Sequence, residues 1–257
     1  SWKFEVGSLK LEVGSNTLSI TNFETLIGGA GADQLLFTNY AFAANVTIAN
    51  VNAGDGFDVT DSNFNGIFRR INSLTGGAGS DTVTGLNSGQ WSAINANTVN
   101  YTSTNTLGIT DFETLAGGAG ADQLLFTNYS STANVALTSV GTTDGFNLTE
   151  ASRTFRNINS VLGGAGSDTL TGLNSGQWSV ISGNAVNYTS TNTLSITDVE
   201  TLIGGAGEDE LLFTNYFITA NVALTSVGTT DGFNLTDANF AGAFRNINRV
   251  TGGAGSD

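Results

Sequence analysis

The chain repeats itself, and that narrows the folds open to it more than any other feature. Trp2, Trp91 and Trp178 stand 89 and 87 residues apart. From Gln90 the chain reads QWSAINANTVNYTSTNTLGITDFETLAGGAGADQLLFTNY. From Gln177 it reads QWSVISGNAVNYTSTNTLSITDVETLIGGAGEDELLFTNY. The first copy diverges early and matches well from Asn16 onward. Three tandem repeats result, 1–89, 90–176 and 177–257, the last incomplete. Because the chain ends out of phase with its own repeat, it is expected to be a segment of a longer array. Near-identical units in tandem call for an architecture in which each unit stacks on its neighbours.

A shorter period lies inside the long one. GGAG occurs at 28, 76, 117, 163, 204 and 252, at intervals of 48, 41, 46, 41 and 48. Each half-repeat closes alike, on ITDFETLAGGAGADQLL or FRNINSVLGGAGSDTL, with Trp91 of one half standing for Phe57 of the other. Within the halves the periodicity is two: Val135-Ala136-Leu137, Val99-Asn100-Tyr101 and Leu194-Ser195-Ile196 alternate, as half-buried strands do. Thr, Val, Ile, Phe and Tyr fill these runs and suit a pleated surface; Asn, Gly, Asp and Ser between them close turns. A short helical turn near Ala238-Asn239-Phe240 is the one departure expected. The predicted fold is therefore all-β, a parallel β-solenoid of ~88-residue repeats, each of two halves. A string of immunoglobulin-like sandwiches is the competitor by length, but a sandwich has no reason to carry one turn motif twice. At two coils of ~20–24 residues per half, the chain would make roughly a dozen coils over ~55–60 Å. Stacked equivalents should then align: Asn72, Asn159 and Asn248 as an amide ladder, Phe23, Phe112 and Val199 as an apolar stack, and the three tryptophans in equivalent positions.

Composition removes many functions. The sequence has no Cys, His, Pro or Met, so zinc–thiolate sites, disulfides, thiol nucleophiles and Ser-His-Asp triads are out. With 22 acidic residues against 8 basic ones and a net charge of -14, nucleic acid is excluded as a partner. No stretch of ~18 apolar residues is present to insert in a bilayer, and no secretion signal opens the chain. Missing Pro suits ladders of strands.

At GGAGxD the sequence resembles the G-G-x-G-x-D repeat of the RTX calcium-binding β-roll. The wider phrase, with its W-x-I start and I-x-(N/D)-F-E-x-L line, resembles repeats of large secreted bacterial surface proteins of the haemagglutinin-like and adhesin-like kind. The RTX resemblance makes calcium the candidate cofactor and Asp33, Asp81, Asp122, Asp168, Asp209 and Asp257 its candidate ligands. The family's nonapeptides follow one another directly, whereas here GLNSGQWSA keeps only Gly85 of a second motif and FTNYAFAAN keeps nothing. A complete site would need GGAG turns from successive halves to lie directly above one another. The alternative is a self-contained turn in which glycine supplies positive φ and the Asp accepts backbone N–H bonds.

Other recurrent residues have plainer readings. Arg69, Arg156 and Arg245 are expected to pair with surface carboxylates. Glu24, Glu113 and Glu200 are copied in every repeat, which is unlike the unique constellation of an active site; the chain is read as non-enzymatic. The function expected is a structural extracellular element at the cell surface, a stalk, fibre or matrix component with adhesive faces. Its partners would be further repeats or copies of itself, and cell-surface or polysaccharide ligands. A calcium-dependent RTX-type secreted module is the alternative, and a carbohydrate-binding or -cleaving β-helix a weaker one. Lys3 and Lys10, the only lysines, are placed to blunt the first strand edge.

Overall fold

The computed structural model describes residues 1–7 and 10–254. Asp257, one of the six candidate ligands, lies outside them. Every regular element among the described residues is a strand, residues 238–240 forming a turn. The chain forms two compact units, residues 1–122 with 152–155, and residues 123–151 with 156–257.

Each unit is a β-solenoid of two sheets. In the first unit one sheet carries Lys3–Glu5, Gln34–Leu36, Ser73–Thr75 and the meander Gln90–Ala93, Thr98–Thr102, Thr106–Thr110. The other carries Thr25–Ile27, Thr82–Thr84, Thr114–Ala116 and the meander Asn45–Val51, Phe57–Asp61, Phe64–Ile71. The short strands pair in parallel, Leu35 opposite Leu74 and Leu74 opposite Ile109. The meanders pair antiparallel, Trp91 opposite Tyr101 and Tyr101 opposite Leu107. The second unit follows the same plan, with meanders at 177–197 and 222–247.

The meanders are what the sequence pattern did not reveal, and they change the winding. Between the GGAG turns at 28 and 76 the chain visits one sheet (Gln34–Leu36), the other (Asn45 to Ile71) and the first again (Ser73–Thr75). Three visits make one and a half coils, not two. The same count holds between 163 and 204, through Thr169–Thr171, the 177–197 meander and Thr201–Ile203.

Alternating inward residues build the core. Leu35, Val83, Trp91, Tyr101, Leu107 and Leu115 are fully buried in the first unit, and Leu170, Trp178, Tyr188, Leu194 and Leu211 in the second. Trp91 and Trp178 each lie on the Tyr of the next strand, with ring centroids 4.6 Å apart for Trp91–Tyr101 and 4.7 Å for Trp178–Tyr188. Equal sequence spacing misleads at the first repeat. Phe4, opposite Leu35, occupies the place that Trp178 holds opposite Leu211. Trp2 sits two residues earlier, at the corner. The halves are likewise offset from the alignment drawn on the glycines: Trp91 is in the first strand of its meander, Phe57 in the second of its own. Phe112 and Val199 are buried as expected, but Phe23 is 53% exposed.

Candidate functional site

Half-integer winding places successive GGAGxD turns on opposite edges of the solenoid. In each unit an outbound edge carries the corners from the first sheet to the second, and a return edge carries those coming back. The turns 76–81 and 163–168 are outbound; 28–33 and 204–209 are return corners, and 117–122 stacks on the return corner 85–89. GGAG turns of successive halves therefore do not lie above one another. Each stacks instead on a corner of different sequence.

On the outbound edge the neighbour is the FTNY corner. Asp81 Oδ1 accepts the Ala44 N–H at 2.7 Å and its Oδ2 accepts the Gly77 N–H at 2.7 Å. The Asp81 N–H donates to Glu113 Oε2 at 2.7 Å. In the second unit Asp168 repeats the set with Ala133, Gly164 and Glu200, at 2.8, 2.6 and 2.7 Å. Both carboxylate oxygens hold a backbone N–H, so these buried acids are satisfied without a metal. Glu113 and Glu200 serve the corner too, accepting from the turn. Tyr40 and Tyr129 close the FTNY corners, donating to Asp61 Oδ1 at 3.2 Å and Glu150 Oε1 at 2.6 Å.

The return edge differs. Asp209 Oδ1 accepts the Gly176 N–H at 2.8 Å, Asp122 Oδ1 accepts that of Gly89 at 2.7 Å, and Asp33 Oδ1 accepts that of Trp2 at 2.6 Å. The N–H groups of Asp33 and Asp209 donate to Asn72 and Asn248 Oδ1, at 2.9 and 3.0 Å. These asparagines are therefore spent on the corners and do not form a ladder with one another. The neighbour of the turns at 117 and 204 is GLNSG, and that of the turn at 28 is Trp2. Asn174 Oδ1 and Ser175 Oγ accept the N–H groups of Ala206 and Glu208, and Asn87 and Ser88 do the same for Ala119 and Ala121. Backbone conformation follows the edge. Gly31, Gly120 and Gly207 take φ of 104°, 101° and 106°, whereas Gly79 and Gly166 take 159° and 156°.

One consequence is chemical. Asp33 Oδ2 and Asp209 Oδ2 are buried with no hydrogen-bond partner among the described residues. Burial pushes the Asp209 carboxyl up to about 6; the Gly176 N–H pulls it down and the Asp231 charge pushes it further up. A buried carboxylate oxygen without a donor is costly, and a hard, oxygen-seeking cation such as calcium removes the cost. The return corners thus fit calcium as the outbound corners do not require it. Among the described residues no three acidic side chains converge into a cluster able to hold an ion, so water and backbone carbonyls would complete any coordination.

The arginines lie elsewhere than expected. Arg69, Arg156 and Arg245 are exposed, with no ion pair among the described residues. Arg249 instead pairs with Glu210 at 2.6 Å, and Arg153 donates to Asn95 O at 2.7 Å. The GLNSG corners escaped the sequence reading, although their recurrence before each Gln-Trp was a signal. So did the Asp-Gly pairs at 55, 144 and 231, which mark hairpins.

Comparison with known families gives one match. The profile described as RTX calcium-binding nonapeptide repeat (4 copies) matches residues 22–36, 70–88 and 156–175. These windows contain Asp33, Asp81 and Asp168, so they sample both edges. No curated protein and no solved structure matches the chain.

Proposed function

We propose that this chain, a β-solenoid of tandem repeats with RTX-like turns, serves outside the cell as structural scaffold, a length of stalk, fibre or matrix, with corners completed by calcium on one edge. The carrying observation is the use made of the recurrent acids. Asp81, Asp168, Glu113 and Glu200 hold backbone N–H groups of neighbouring coils together. They are parts of the fold, copied wherever the fold needs them. The return edge supports the calcium component through its buried, donorless oxygens. The family's calcium-binding description points the same way.

The calcium component is tested by melting the chain in calcium and in chelator at equal ionic strength. A higher Tm in calcium is expected; equal values would refute it.

A further inference from the structure

We propose that Asp209 and Asp231 together form a calcium site on the return edge of the third repeat. The inference rests on the calcium reading above and adds a ligand from outside the GGAGxD hexapeptide. Asp231 lies in the hairpin loop between Val222–Val227 and Phe233–Asp237. Its Oδ2 accepts the Gly207 N–H at 2.8 Å, so it reaches the same turn that Asp209 closes. Asp209 is wholly buried and has committed Oδ1 to Gly176. Each carboxylate then keeps one buried oxygen, Asp209 Oδ2 and Asp231 Oδ1, with no donor among the described residues. Two like charges on one turn, each with an idle oxygen, destabilise the corner until a cation lies between them.

The third repeat differs from the first in the direction this site needs. Its turn reads GGAGEDE where the first reads GGAGADQ, so Glu208 and Glu210 stand where Ala32 and Gln34 do. Glu210 is occupied by Arg249 and Thr251, at 2.7 and 2.9 Å. Glu208 is exposed and faces Arg249. In the first repeat the loop residue Asp55 already takes the Asn72 side-chain amide at 3.1 Å, a donor that Asp231 lacks. All available ligand atoms are oxygens, which selects a hard cation. Calcium tolerates an irregular shell, whereas magnesium demands a near-ideal octahedron. Two carboxylates completed by water and carbonyls place the affinity in the range of extracellular calcium modules, about 10⁻⁴–10⁻³ M.

The test uses the full chain freed of metal, as wild type, Asp231→Asn and Asp168→Asn. Tm is read in chelator, in calcium and in magnesium, and bound calcium is counted by equilibrium dialysis. The asparagine at 231 can still accept the Gly207 N–H, so the fold should survive. In chelator Asp231→Asn should melt at or above wild type, because a repulsion is gone. In calcium it should lose the gain that wild type shows, and bind one equivalent fewer or at least tenfold more weakly. Asp168→Asn, on the outbound edge, should bind as many ions as wild type. If calcium stabilises wild type and Asp231→Asn alike, the module is calcium-dependent and this site is wrong. If calcium does nothing to wild type, both readings fall. If Asp231→Asn lowers Tm equally in every condition, Asp231 is a turn cap and the site is overturned.

Discussion

The same hexapeptide, GGAGxD, closes corners on both edges of the solenoid and does different work on each. On the outbound edge its Asp spends two oxygens on two backbone N–H groups, one from its own turn and one from the coil beside it. On the return edge it spends one oxygen across the coils and leaves the other buried without a donor at Asp33 and Asp209. The neighbours differ: the donors facing the Asp are Ala44 and Ala133 outbound, Gly89 and Gly176 on the return. A motif therefore does not carry its chemistry with it. The coil stacked against it decides whether the Asp is a structural cap or a waiting ligand.

The sharpest way to break this comparison is to delete the carboxylate on each edge. Asp168→Ala strands two donors, the buried N–H of Ala133 and the part-buried N–H of Gly164. At ~1–3 kcal/mol for each unsatisfied group, a loss of about 3–5 kcal/mol is expected. Asp209→Ala strands only the Gly176 donor and also removes a buried oxygen that had no partner, so in chelator it should cost about 1 kcal/mol. Urea unfolding of the two variants measures the difference. Equal losses would mean that the two edges are energetically the same.

Much of the fold was legible. The half-repeats, the period-two strands and the inward Val99, Tyr101, Leu194 and Ile196 all stood in the sequence, because alternation and recurrence are local. The winding was not, since it depends on meanders that carry a short Asp-Gly loop at 55, 144 and 231 and no such mark at 90–110 and 177–197. Two coils per half would have put every GGAG on one edge; one and a half puts them on two. The same oversight hid the partner of each turn, for GLNSG and FTNY look like lost motifs until they are seen stacked on GGAGxD. Trp2 was matched to Trp91 by spacing, whereas the register of Lys3–Glu5 against Gln34–Leu36 makes Phe4 the counterpart. Register belongs to strand pairing and is not visible in spacing alone.

Exchanging the facing donors sharpens the comparison with a smaller effect. Gly176 lies against the Tyr188 ring and hydroxyl, and a Cβ there would collide with both. Gly176→Ala installs the residue that the outbound edge has at this place, yet it should cost about 2–3 kcal/mol by overpacking. Ala133→Gly, the reverse exchange on the outbound edge, loses one buried methyl and some backbone restriction, about 1 kcal/mol. Thermal or urea unfolding should rank them in that order. If Gly176→Ala is neutral, the tyrosine is not what sets the return corner apart.

The smallest effect concerns the tyrosine itself. Tyr188 donates its hydroxyl to Leu173 O at 3.1 Å, and Tyr101 to Leu86 O at 3.3 Å while accepting the Leu86 N–H at 2.8 Å. Burial pushes both phenols up to about 12; the corner backbone bonds pull them down, and Asp209 and Asp122 push them further up. Their folded values lie above the unfolded value of 10.0, so the folded state holds these protons more tightly. The stability they contribute is whole below pH 10 and is lost as pH rises from 10 through about 12. Tyr188→Phe should cost about 1 kcal/mol at neutral pH by loss of one hydrogen bond. It should also flatten the alkaline decline, because one of the two groups no longer titrates. Phenolate absorbance of wild type and Tyr188→Phe, followed beside circular dichroism, checks this: Tyr101 and Tyr188 should ionise only as the return corners open, beside Tyr40 and Tyr216, which burial also raises at the outbound corners. Free titration of all five in the folded chain near pH 10 would show that the GLNSG corners are not sealed by these rings.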